Sequence, residues 1–134
     1  MEAKDKFIGS GMTFPILLNP LKTSPIISSG ESTLIHSSIG IIINWPKRRR
    51  WFNEEFGCRI EETLEEPNDA ISRTLIRVFI KEALEKWEKR IVLKSIKTQS
   101  GRDVGQINVS INYNIRNTKI EETVIFPFYT DLKY

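Results

Sequence analysis

Residues Glu82 to Thr98 read EALEKWEKRIVLKSIKT, and the fold turns on how this stretch changes period. Before it, Ile71, Leu75, Val78, Phe79, Leu84 and Trp87 recur at helical spacing; after it, Ile91 with Leu93 and Val92 with Ile96 space out as in a strand. A helix therefore ends near Trp87 and a strand begins near Ile91, with no Gly or Pro between them. Glu88, Lys89 and Arg90 occupy the junction, a carboxylate and a guanidinium two residues apart between an aromatic anchor and a strand start.

Working backwards, Glu66, Pro67, Asn68 and Asp69 form a loop whose Asn68 or Asp69 caps a helix from about Ala70 to Trp87. Its apolar residues span more than half of the circumference, which predicts packing on two sides. Upstream, Ser28 and Glu31 have capping-box spacing, and Leu34, Ile35, Ile39, Ile41, Ile42 and Trp45 cover one side of a first helix, about Glu31 to Asn44. Pro46 stops it. Residues 1–30 are rich in Gly, Pro and Ser and read as an extended arm, with residues 31–134 as a single domain.

Working forwards, Ser100 to Asp103 make a turn. The next strand then alternates, with Ile107, Val109, Ile111, Tyr113 and Ile115 on one face and Asn108, Ser110, Asn112 and Asn114 on the other. Arg116 to Lys119 turn the chain into a last strand carrying Val124, Phe126 and Phe128, which Pro127 marks as an edge. The fold class is α+β: two helices packed on a small, mainly antiparallel sheet, with an extended N-terminal arm.

Composition narrows the chemistry. Among 134 residues there are one cysteine, Cys58, and one histidine, His36, so a disulfide, a Cys-rich metal site and a His-paired catalytic centre are not expected. Cys58 reads as a small buried filler and Gly57 as a residue chosen for its backbone angle. Twenty Lys and Arg against 17 Asp and Glu leave a net charge of +3, too small and too dispersed to imply nucleic acid binding. The opening MEAKDKFIGSGM lacks signal-peptide order, and no apolar run approaches the ~18 residues of a membrane span. A soluble protein of a reducing cytoplasm is expected.

Lys47 to Arg50 followed by Trp51 and Phe52 joins four cations to two aromatics. That mixture suits a protein interface, where Arg and Trp concentrate binding energy, and also a phosphate-and-base grip. The glutamates at 54, 55, 61, 62, 65 and 66 favour the interface. There is no phosphate loop, nucleophile elbow or metal-ligand spacing, so no catalytic residue and no cofactor are assigned.

Over nearly its whole length the chain resembles the lysozyme-like baseplate wedge subunits of contractile phage tails and their type VI secretion counterpart, TssE. Gly9, Gly11, Phe14 and Pro15 are similar to the family's opening; Arg48 to Arg50 stand at its Gly-Glu-Arg turn; Glu54 to Cys58 and Glu65 to Asn68 match two further steps. Trp87, Glu88, Lys89, Arg90 and Ile91 echo the Trp-Glu-Pro-Arg-Ile hallmark, with Lys89 in place of proline and with Arg48 and Arg49 in place of Gly and Glu. The resemblance implies a structural, non-enzymatic subunit of a large hetero-oligomer. Its Glu-x-Arg corner would dock into a bundle of larger wedge proteins, and its sheet would meet the first sheath ring. Partner-binding residues are then Trp87, Glu88, Arg90, Arg50, Trp51, Glu66 and Pro67, and Arg90→Ala is expected to leave the fold intact. A peptidoglycan glycosidase and a basic nucleic-acid-binding module are the alternatives.

Overall fold

The structure is a computed structural model that describes residues 8–16, 18–29, 32–65 and 69–130. The chain divides into two compact units, Met1–Ile41 and Ile42–Tyr134, with the boundary inside the first helix.

In the first unit, β1 (Ser10–Met12) pairs antiparallel with β2 (Ile27–Ser29), Gly11 lying opposite Ser28. The stretch read as an extended arm thus folds back on itself. Asn19 makes the reversal: its carbonyl accepts from the amides of Lys22 and Thr23, and its side-chain oxygen accepts from the Leu21 amide at 2.9 Å. Helix α1 covers Ser32–Asn44. Ser28, expected to open a capping box with Glu31, lies instead inside β2, four residues before the helix starts, and Glu31 lies outside the described residues. Ser37 of α1 accepts from the Phe14 amide at 3.1 Å, which ties the arm to the helix.

In the second unit, a loop from Trp45 to Arg59 leads into α2 (Ile60–Leu64) and α3 (Ala70–Trp87), followed by β3 (Ile91–Ser100), β4 (Gln106–Ile115) and β5 (Glu121–Tyr129). The three strands form one antiparallel sheet in the order β3-β4-β5. Three helices and this sheet give the α+β arrangement, with one helix more than expected among the described residues. Helix α2 is too short to show an apolar period, and Glu61 and Glu62 occupy its first turn. Arg59 and Glu62, three residues apart, form an ion pair at 2.8 Å on its outer side, while Ile60 and Thr63 are buried on the other.

Asp69 starts α3 by accepting the Ser72 amide at 2.8 Å. Ser72, Ile76, Ile80, Ala83 and Leu84 form one buried stripe down it. The buried face is narrower than the spread of apolar residues predicts, since Ile71, Leu75 and Val78 remain exposed, at 70, 39 and 51%. The helix meets β3 and α2. The core is dominated by β4, whose Ile107, Val109, Ile111, Tyr113 and Ile115 have no exposed surface, each aliphatic contributing about 1.5–3 kcal/mol by burial.

The uneven apolar spacing of β3 has a local cause. Leu93 pairs with Tyr113 and Ile96 with Ile111, while Lys94 has no place in the register. This bulge shifts the phase by one residue, so that Leu93 and Ile96 share a face although they are three apart. Among the described residues, no helix is long and apolar enough to cross a membrane.

Candidate functional site

Helix α3 stops without a breaker because Glu88 turns extended, at φ −107° and ψ 92°, while its amide still donates to the Leu84 carbonyl at 2.9 Å. That geometry sends the Glu88 side chain inward, where it is 3% exposed, and Arg90 closes on it from the strand side. Oε1 of Glu88 accepts from the Arg90 amide at 3.1 Å and from Nε at 2.8 Å; Oε2 accepts from Nη2 at 2.7 Å. The hydrogen bond to Glu88 is the main cause that holds the Arg90 guanidinium above its ordinary pKa. The ion pair is two-pronged, charge-assisted and largely withdrawn from water, with 28% of the arginine side chain exposed.

The turn itself is latched by the residue that follows β4. The Arg116 amide donates to the Arg90 carbonyl at 2.7 Å, and Arg116 Nε donates to the Lys89 carbonyl at 2.9 Å. Lys89 lies outermost, with Nζ donating to the Glu85 carbonyl at 2.8 Å near the negative end of α3.

A ring cluster extends the corner towards the basic loop. Phe56 meets Trp87 edge-on at 5.2 Å and Trp45 at 6.4 Å, and the Arg50 guanidinium lies 4.4 Å from the centre of the Phe56 ring. Lys86 lies 5.3 Å from the centre of the Trp87 ring while forming an ion pair with Glu55 at 3.0 Å. Such cation–ring contacts contribute about 0.5–1 kcal/mol each at exposed sites. The cluster can form because the loop ends close up: the Cys58 amide donates to the Trp45 carbonyl at 2.9 Å, and Gly57, at φ 118°, lies where a Cβ would collide with that same carbonyl oxygen.

Four of the residues assigned to partner binding, Arg50, Trp87, Glu88 and Arg90, are therefore brought together, through Phe56. Trp51 is elsewhere, 85% exposed on the loop. Glu66 and Pro67 lie outside the described residues. The sequence reading missed Phe56, Lys86, Glu55 and Arg116. For Phe56, its place directly before a glycine of special geometry was a usable signal.

A mixed-charge cleft of about 370 Å³ adjoins the loop, lined by residues that include Lys47, Arg48, Arg59, Glu54, Glu55 and Glu62. Lys86 and Arg59 hold the Glu55 and Glu62 carboxyls below the usual carboxylate range, each first through a side-chain hydrogen bond. Among the described residues, no group of three or more His, Cys, Asp or Glu is placed to hold a metal ion.

The family of the baseplate wedge protein gp25 matches residues 30–119, which takes in the corner, the loop and two strands of the sheet. This chain belongs to the gp25 baseplate wedge family. A crystal structure from Geobacter sulfurreducens, of a protein provisionally named tail lysozyme, is 32% identical, covers 72% of this chain and 88% of its own, and superposes with a TM-score of 0.66. The baseplate of the anti-feeding prophage contains a chain of the same fold at 15% identity, covering 97% of this chain and 92% of its own, with a TM-score of 0.66. The baseplate of the contracted R2 pyocin contains another at 15%, covering 85% and 97%, with a TM-score of 0.52. No curated protein matches the chain. As a gp25-family protein, the chain has a structural role in a multi-subunit baseplate of a phage or phage-tail-like particle.

Proposed function

We propose that this wedge protein joins the larger wedge subunits of its baseplate to the sheath, docking through the Trp87–Arg90 corner and offering its three-stranded sheet to the first sheath ring. The observation that carries this reading is the closed Glu88–Arg90 pair. A carboxylate neutralised inside the chain leaves Lys89, Arg116 and the outer edge of Arg90 as a positively charged knob of fixed shape. Holding that shape before assembly reduces the ordering cost of docking, and a buried fixed pair discriminates against partners of the wrong geometry.

The subunit acts without catalysis. A glycosidase needs one carboxylic acid with a raised pKa beside a carboxylate. Here Glu88 is committed to Arg90, and Glu55 and Glu62 at the cleft are pushed in the opposite direction. Purified peptidoglycan should therefore remain intact in the presence of this protein; turnover lost on a single Glu→Gln change would establish the enzyme instead.

The docking reading is tested with Lys89→Glu, which reverses charge on the exposed turn and spares the Glu88–Arg90 bonds. The isolated variant should remain folded, losing only about 1 kcal/mol with the Lys89–Glu85 contact, while its sedimentation in particle-producing cells shifts from the baseplate to free protein. Normal incorporation would remove the corner from the interface.

A further inference from the structure

We propose that residues 47–53 form a second docking element, separate from the corner, which inserts Trp51 and Phe52 into an apolar pocket with a carboxylate rim on another baseplate protein. The proposal rests on the baseplate role given above but on none of the corner's contacts.

Phe52 and Trp51 are the two most exposed aromatics among the described residues, at 103 and 85%. They are adjacent, and their loop is built to hold them outward. The Arg48 amide donates to the Glu54 carbonyl at 2.8 Å, the Asn53 amide to the Arg50 carbonyl at 3.3 Å, and the Phe56 amide to the Asn53 carbonyl at 3.2 Å. Arg50 lies over the buried Phe56, and the loop is pinned where Pro46 and Cys58 bridge. Arg48 and Phe52 both have left-handed backbones, φ 67° and 64°, a conformation that non-glycine residues adopt only when their surroundings impose it. Two large rings held outward on a rigid loop are the form a binding anchor takes.

The charges around the tip select the partner. Arg49 is 3.4 Å from Glu61, and Lys47 is 3.9 Å from Glu82, so both cations are already partly countered within the chain. Arg48 lines the adjoining cleft, where its charge helps to hold Glu55 and Glu62 below the usual carboxylate range, and Arg50 lies over the Phe56 ring. Both are exposed and, among the described residues, neither has a carboxylate within ion-pair distance. Two guanidiniums without a close ion pair beside two apolar rings fit a pocket with a local carboxylate. A nucleic acid backbone needs several uncommitted cations, and the glutamates lining the adjoining cleft would oppose it.

The test places the photo-cross-linker p-benzoylphenylalanine at position 52, and separately at position 89, in the full chain produced together with the other proteins of its particle. The position 52 probe is expected to label one baseplate protein, on a peptide containing apolar and acidic residues, different from the peptide labelled from position 89. Trp51→Ser with Phe52→Ser should retain the wild-type Tm yet bind the labelled protein about tenfold or more weakly, and Arg48→Glu should weaken it further at low salt than at high salt. Labelling from 89 alone overturns the loop proposal and leaves the corner standing; labelling from 52 alone does the reverse. Adducts from 52 with nucleic acid or with a second copy of this chain, or wild-type binding by the double variant, also overturn it.

Discussion

Glu88 and Arg90 close a ring of three hydrogen bonds across a single intervening residue, with both oxygens of the carboxylate held by one arginine. The pair lies where α3 hands over directly to β3.

The closed pair reverses the expectation that Arg90→Ala spares the fold. Removing the guanidinium leaves a 3% exposed carboxylate with the amide of residue 90 but without the countercharge of the pair, so the variant should lose about 3 kcal/mol. Replacing both residues by Met should recover most of that loss. Urea unfolding of the two single variants and the double variant measures the coupling, and additive losses would show that the pair does not act as a unit.

At Lys89 the chain departs from the family's Trp-Glu-Pro-Arg-Ile pattern. Glu88 is already extended, the conformation that a following proline demands. Lys89→Pro should therefore be accepted and raise stability by about 0.4–1 kcal/mol through a stiffer unfolded chain. A lowered Tm would show that the corner has adapted to lysine.

Gly57 allows the approach of residues 45 and 58 that assembles the ring cluster. Alanine there brings both a strained φ of 118° and a collision with the Trp45 carbonyl, and should cost about 3 kcal/mol with loss of the near-ultraviolet aromatic signal. Gly11→Ala is the control: a Cβ there meets nothing within 4 Å, and the melting curve should be unchanged.

Cys58 is 2% exposed, and burial pushes its thiol up to about 11 from 9.0. It should resist thiol reagents in the native protein at pH 8 and react once urea unfolds the chain. Because the folded pKa is raised, the folded state retains the proton that the unfolded state releases, so this thiol's contribution to stability is constant below about pH 9 and declines between pH 9 and 11. Cys58→Ser, whose hydroxyl does not titrate there, should show a weaker decline over that range.

Much of this was legible because it depends on residues close in sequence. The ends of α3 follow from Asp69 and from the change of period after Trp87, and β4 follows from five apolar residues alternating with four polar ones. The Lys94 bulge left only an irregular spacing, since a one-residue shift shows itself when the partner strand is known. Helix α2 was hidden because solvated glutamates and an outer helical face have the same composition.

The sequence by itself determined the period of each long element, and hence the α+β class and the charged corner at the one abrupt change of period. Tertiary structure alone decided that Glu88 and Arg90 satisfy each other, that Phe56 links the basic loop to Trp87, and that Trp51 stays outside the cluster. Periodicity reports which face of an element is apolar, because that depends on neighbours along the chain. The partner of a charge or a ring is set by which elements meet in space, and here that depended on an approach at Gly57 that needs a side chain to be absent.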